Sequence, residues 1–196
     1  MNKKLKRFGA AYASLILLAI FTVICLLRAN YEFLFYAVGI FLLIILMMET
    51  DKIFKYSQAA KWGVTLASLL HFLGGTLVIN GKSLYSTMIF GLIGEPFYVF
   101  KFDQFIHFYG YFVFGLFAYA VIKKISTPGT NKLILGLIMV LVVNGVGALN
   151  EVQEFCAFSL MNATGVGDYV NNALDLVFNL LGSIVAISVI TLSNKK

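Results

Sequence analysis

The sequence predicts an all-α, polytopic membrane protein: a bundle of six transmembrane helices with an interfacial or re-entrant segment near residues 81–102. Three observations carry this. Hydrophobic residues make up 60% of the 196 and charged residues only 12%, with a mean hydropathy of +0.90. Soluble domains carry roughly 25% charged residues, so lipid is the expected solvent. The apolar residues form near-continuous runs rather than alternating, which selects helices over a barrel among structures that satisfy their backbone in lipid. Finally, twelve of the fifteen basic residues fall on one side once those runs are read as spans. The length leaves room for one integral membrane domain, residues 1–196, and for no soluble domain beside it.

The spans lie near residues 8–27, 31–49, 61–80, 103–122, 132–150 and 171–192. Each approaches the ~20 residues that a helix needs to cross ~30 Å of hydrocarbon at 1.5 Å per residue. The first follows Lys3, Lys4, Lys6 and Arg7 and resembles a signal peptide. Its apolar run exceeds the roughly 7–15 residues of a signal sequence, and Leu27-Arg28-Ala29-Asn30 is a poor cleavage site. A retained first span is expected.

The connections fix an orientation. Lys3, Lys4, Lys6, Arg7, Lys52, Lys55, Lys61, Lys123, Lys124, Lys132, Lys195 and Lys196 share one side; Arg28, Lys82 and Lys101 share the other. The positive-inside rule then puts both termini in the cytoplasm of a bacterial cell. The net charge of +6 is therefore directed at anionic lipid head groups and the translocation machinery, and no nucleic-acid partner is expected. Membrane lipids are the expected partners; the oligomeric state stays open.

Between spans three and four, Gly81–Phe102 is too apolar for free solution and too interrupted, by Gly91, Gly94 and Pro96, for a crossing. It is expected to lie over the outer helix ends. Ser126-Thr127-Pro128-Gly129 marks a turn, and Gly165 and Gly167 are turn formers ahead of the last span. Cys25 and Cys156 both fall toward the outer face, leaving a disulfide open.

Acidic residues divide the other way. Glu49 and Asp51 are inside; Glu32, Glu95, Asp103, Glu151, Glu154, Asp168 and Asp175 are outside or just within the outer leaflet. Ionisable groups in spans are costly and make functional candidates. Asp103 and His107 are four apart on one helix face, where a carboxylate orients an imidazole for proton transfer or metal ligation. An interfacial ion pair at a helix start is the alternative. Asn150, Glu151 and Glu154 form a second cluster, whose carboxylates repel unless a proton, a cation or a histidine sits between them; a hydrated helix end is the alternative.

Asp168, Asn172, Asp175, Asn179 and Gly182 make a polar stripe descending about 16 Å along the sixth helix. Such a stripe faces the bundle interior, either as a site or as a seam of inter-helix hydrogen bonds. His71, near the middle of span three, is a candidate floor for a shared cavity. The catalytic candidates are thus Asp103, His107, Glu151, Glu154, Asp168 and Asp175, with His71, Asn150, Asn172 and Asn179 lining the pocket. A divalent metal cation is a candidate cofactor, with His107, Glu151, Glu154 and Asp175 as its candidate ligands.

These motifs resemble those of the YjdF-like integral membrane proteins and, more distantly, the VanZ-like family. The likeness spans roughly residues 65–185 through Asp103-x-x-x-His107, Glu151-x-x-Glu154, Gly167-Asp168 and Asp175-x-x-x-Asn179-x-x-Gly182. VanZ-like proteins have a lysine where Gln104 stands and a glutamine where Glu154 stands. The second difference, with His71-x-x-Gly74-Gly75, favours the YjdF-like side. The VanZ-like resemblance implies an association with glycopeptide resistance of the teicoplanin kind; the YjdF-like one implies no assigned activity.

The expected function is an outward-facing intramembrane polar pocket that acts on or binds a cell-envelope lipid or lipid-linked head group. The alternatives are a small proton-coupled transporter and a non-catalytic component whose polar residues only join helices. Whether the protein is an enzyme stays open.

Overall fold

The computed structural model describes residues 3–161 and 167–193 and contains six helices. They are α1 (Lys3–Leu27), α2 (Tyr31–Phe54), α3 (Gln58–Thr76), α4 (Phe102–Ile125), α5 (Lys132–Met161) and α6 (Tyr169–Ser193). Five of them, all but α3, are long and apolar enough to cross a membrane. Gly165, Lys195 and Lys196 lie outside the described residues.

Short polar residues set the helix ends. Asn30 caps α2 through Phe33 N–H at 3.1 Å, Ser57 caps α3 through Ala60 N–H at 3.1 Å, and Asp168 caps α6 through Asn171 N–H at 2.9 Å. Asn131 accepts from Leu133 N–H at the start of α5, after a turn in which Gly129 takes φ +89°. The guanidinium of Arg28 donates to the Thr76 carbonyl at 2.7 Å, answering an unpaired acceptor at the end of α3.

Helices α1–α3 pack around Phe21, Phe72, Ile44, Phe33 and Cys25, with the Phe21 and Phe72 rings stacked at 4.7 Å. A second group, α4–α6, centres on Tyr111, Ala118 and Val143. Its closest crossing joins α4 to α6. A β-carbon added at Gly182 would fall 2.2 Å from the Phe108 carbonyl oxygen, and one at Gly115 would fall 2.5 Å from the Ala186 β-carbon. Only glycine permits that approach. Elsewhere, Ile16, Leu133 and Leu141 are among many large apolar side chains turned outward, as a lipid-facing surface requires.

Residues 77–101 contain no α-helix. They form two antiparallel ribbons, β1 (Val78–Ile79) with β2 (Lys82–Ser83) and β3 (Met88–Ile93) with β4 (Val99–Lys101), separated by a 3₁₀ turn at Leu84–Ser86. Glycines and Pro96 disfavour a helix here, while Ile89, Ile93 and Val99 favour extended backbone. Tyr85 on the 3₁₀ turn packs against α3, whereas Phe90 and Leu92 of β3 project outward. The segment is thus a pair of ribbons with one inward anchor.

Several helices run past the expected spans, α2 to Phe54 among them, and two boundaries bear on the site. Helix α3 stops at Thr76, where Leu77 turns extended at ψ 134°, and α5 continues to Met161. The extra turns of α5 carry Glu151 and Glu154 on helix. Cys25 and Cys156 are free thiols.

The bundle has two distinct ends. One carries Arg7 and Asp51 at the start of α1 and the end of α2; the other carries the ribbons and the starts of α4 and α6. Lys52, Lys55, Lys61, Lys123, Lys124 and Lys132 belong to the first, the lysine end, and Arg28, Lys82 and Lys101 to the ribbon end.

Candidate functional site

Helix α4 begins with Gln104 reaching back to accept from the Phe100 and Lys101 N–H groups, the latter at 3.0 Å. This fixes the first turn, and one turn further His107 points into the bundle. Its Nδ1 lies 3.0 Å from Asn179 Oδ1 on α6 and 3.9 Å from Glu151 Oε1 on α5. Its Nε2 lies 3.7 Å from Asp103 Oδ1 and 4.0 Å from Asp175 Oδ1. Three helices therefore deliver three carboxylates around one imidazole. The His107 ring stacks on Tyr111 with centroids 6.1 Å apart.

Glycine makes this convergence possible. A β-carbon at Gly147 of α5 would lie 2.8 Å from Asn179 Nδ2, so the amide occupies the space a side chain would take. Asn171 then ties two helices together, donating through Nδ2 to Asp103 Oδ2 at 3.1 Å and to Asp175 Oδ2 at 2.7 Å. Asn150 donates to Glu154 Oε1 at 2.8 Å.

Several polar atoms in this cluster are buried without a hydrogen-bond partner among the described residues. They are both oxygens of Glu151, Asp175 Oδ1, Asn179 Nδ2 and Gln104 Nε2. Asp175 and Asn179 are fully buried. Unsatisfied buried polar groups are expensive, and several in one place single out this cluster as the candidate site.

The cluster opens onto a cavity of about 420 Å³ between α2, α3, α4 and α5. Asp103, His107, Glu154, Glu32, His71 and Tyr85 line its ribbon end. Toward the lysine end the lining becomes mostly apolar, with Met47, Val64, Phe114, Phe117, Val143 and Val146. The lining runs along α4 from Asp103 to Val121, about 27 Å at 1.5 Å per residue.

His71 does not form the floor expected of it. Because α3 ends at Thr76, His71 lies five residues from the ribbon end, with the Tyr85 hydroxyl 2.6 Å from its Nδ1. Phe33, Tyr36 and Tyr85 surround its ring. Burial holds the Tyr85 phenol well above the ordinary tyrosine range, so it stays protonated.

The expected stripe on α6 is also corrected. Asp168 is exposed and caps the helix. Asn172 is half-buried, but the bonds to Asp103 and Asp175 come from Asn171. The working register is Asn171, Asp175 and Asn179, spaced four and four, with Gly182 on the same face. Asn171, Tyr85 and the capping role of Gln104 were not anticipated. Asn171 and Asn172 both fall within reach of that face by spacing, so no sequence signal chooses between them.

A family model described as "Predicted membrane protein (DUF2238)" matches residues 10–196. No curated protein and no solved structure matches.

Proposed function

The chain belongs to this family of predicted membrane proteins (DUF2238), and we propose that it holds one amphiphilic molecule inside the membrane, a lipid or a lipid-linked envelope compound. The polar head sits among Asp103, His107, His71 and Glu154, and the hydrocarbon tail fills the shaft toward the lysine end. In this reading α3 completes six crossings, both termini are cytoplasmic, and the ribbon end faces the outside of a bacterial cytoplasmic membrane. The lysine distribution supports that orientation. The YjdF-like and VanZ-like character of the motifs supports an envelope role.

One observation carries the reading: a single cavity changes along its length from carboxylates and imidazoles to aliphatic and aromatic walls. That polarity gradient fits an amphiphile. A proton or ion path needs polar groups along its whole length, and a transport site belongs near the midplane. Here the acidic cluster is confined to one end.

Gly110 provides the test. It lines the cavity, and a β-carbon there would meet nothing within 4 Å, so the side chain of Gly110→Leu starts into open space and takes up room in the shaft. Native mass spectrometry of the full chain in mild detergent is expected to show a co-purifying lipid on the wild type and its loss in Gly110→Leu. Equal lipid occupancy in both proteins would refute the shaft as its seat.

A further inference from the structure

We propose that Asp103 Oδ1, His107 Nε2 and Asp175 Oδ1 hold a divalent cation of the Mn²⁺ or Zn²⁺ kind. This deepens the amphiphile reading, resting on it for the ion's role at the head-group end but not for the site itself.

Asn171 Nδ2 holds Asp103 Oδ2 at 3.1 Å and Asp175 Oδ2 at 2.7 Å. That clamp turns both Oδ1 atoms toward the same imidazole nitrogen, 3.7 and 4.0 Å away. Those distances are too long for hydrogen bonds. The three atoms lie within 4.8 Å of one another, the spacing of ligands that close around an ion at ~2.0–2.2 Å with small side-chain movements.

Asn179 bears on which nitrogen is available. Its Oδ1 stands 3.0 Å from His107 Nδ1 and can only accept, so Nδ1 donates there and Nε2 is the nitrogen turned to the two carboxyl groups. Two carboxyl groups and a ring nitrogen converging in a buried space need a proton or a cation between them, and one divalent cation answers all three. Asp175 supplies an independent pointer. It is fully buried, and its Oδ1 has no partner among the described residues while aiming into this gap.

The arrangement has the two shells of a metal centre. Asn179 orients the histidine, and Asn171 orients both carboxylates, as outer-shell partners do. Glu151 and Glu154 approach the opposite edge of the ring, and with His107 they form a second cluster of possible ligands. Because Nδ1 is engaged by Asn179, the Nε2 side is the ligating one. Two carboxylate oxygens with one imidazole suit Mn²⁺ or Zn²⁺, and three protein ligands leave positions for an anionic head-group oxygen.

The full chain, stripped with chelator and dialysed separately against Mn²⁺ and Zn²⁺, is expected to retain about one ion per chain by elemental mass spectrometry. Asp103→Asn and Asp175→Asn should lose it. Asn171→Ala should weaken binding about 10- to 100-fold, and Glu49→Gln, on the exposed lysine end, should leave it unchanged. Electron spin-echo spectra of the wild type with Mn²⁺ should show one histidine nitrogen coupled to the ion, a readout that does not depend on any variant folding.

No ion above background on the wild type, no nitrogen coupling, or full stoichiometry in a well-folded Asp175→Asn would each overturn the site. Gly110→Leu separates the two proposals: it should retain the ion while losing the lipid.

Discussion

Two buried acids at opposite ends of this bundle have opposite surroundings. At the lysine end, Asp51 is almost fully enclosed and fully answered. Arg7 Nε lies 2.8 Å from its Oδ2, while Lys61 Nζ at 3.5 Å and Tyr56 N–H at 3.0 Å reach its Oδ1. Lys61 also donates to the Arg7 carbonyl at 3.0 Å, so the cluster ties α1, α2 and α3 together. At the ribbon end, Asp175 is equally buried, yet it faces Asp103 and Glu151 across a single histidine with one oxygen unpaired. A satisfied buried charge holds a fold together; an unsatisfied one costs stability and calls for a ligand. The lysine end is accordingly a fastening and the ribbon end the proposed site.

Breaking the fastening should have the largest effect on stability. Asp51→Ala leaves Lys61 buried without its counter-charge, and a loss of about 3–5 kcal/mol is expected. Arg7 is 42% exposed in its side chain and adds little to that figure. Unfolding in mixed micelles measures it, and ion binding at the ribbon end should survive in the fraction that folds.

Gly182→Ala comes next, because its β-carbon would collide with the α4 backbone at Phe108. We expect about 1–3 kcal/mol of destabilisation. Since α4 and α6 carry His107 and Asn179, ion affinity should fall with it. Gly147→Ala sharpens the contrast. Its β-carbon would displace the Asn179 amide, so ion and lipid binding should drop while the unfolding temperature moves little.

Tyr85→Phe removes the hydroxyl beside His71 and should cost about 0.5–1.5 kcal/mol in the same unfolding assay. The smallest effect is a gain. Gly110→Leu should stabilise the lipid-free protein by about 0.5–1 kcal/mol, through helix propensity alone.

Most of this fold was legible because its signals are long. Runs of about twenty apolar residues predict helices whatever their neighbours, and five of the six helices are long and apolar enough to cross a membrane. The ribbons of residues 77–101 were less legible: an interrupted apolar stretch says that a helix fails without saying what replaces it. The site was half legible. Asp103 and His107 lie on one turn of one helix, so their proximity is local, and Asp175 and Asn179 likewise. That Glu151 joins them depends on α5 running on past residue 150.

Asn171 was overlooked beside Asn172 because spacings of three and four both keep a helical face. Only the crossing of α4 over α6 at Gly182 decides that Asn171 meets Asp103. The buried state of Asp51 was hidden for a related reason: Lys61 lies in the first turn of α3, ten residues later, and returns to it through a turn of the chain.

The claim that ties these parts together is that Asp175 serves a ligand rather than the fold. Thermal unfolding of wild type and Asp175→Asn in chelator, and again with Mn²⁺, tests it most directly. Removing one anion from a crowded buried cluster should leave the ion-free variant as stable as wild type or more so, and Mn²⁺ should raise only the wild-type unfolding temperature. An ion-free Asp175→Asn that loses as much stability as Asp51→Ala, with Mn²⁺ shifting neither protein, would contradict it.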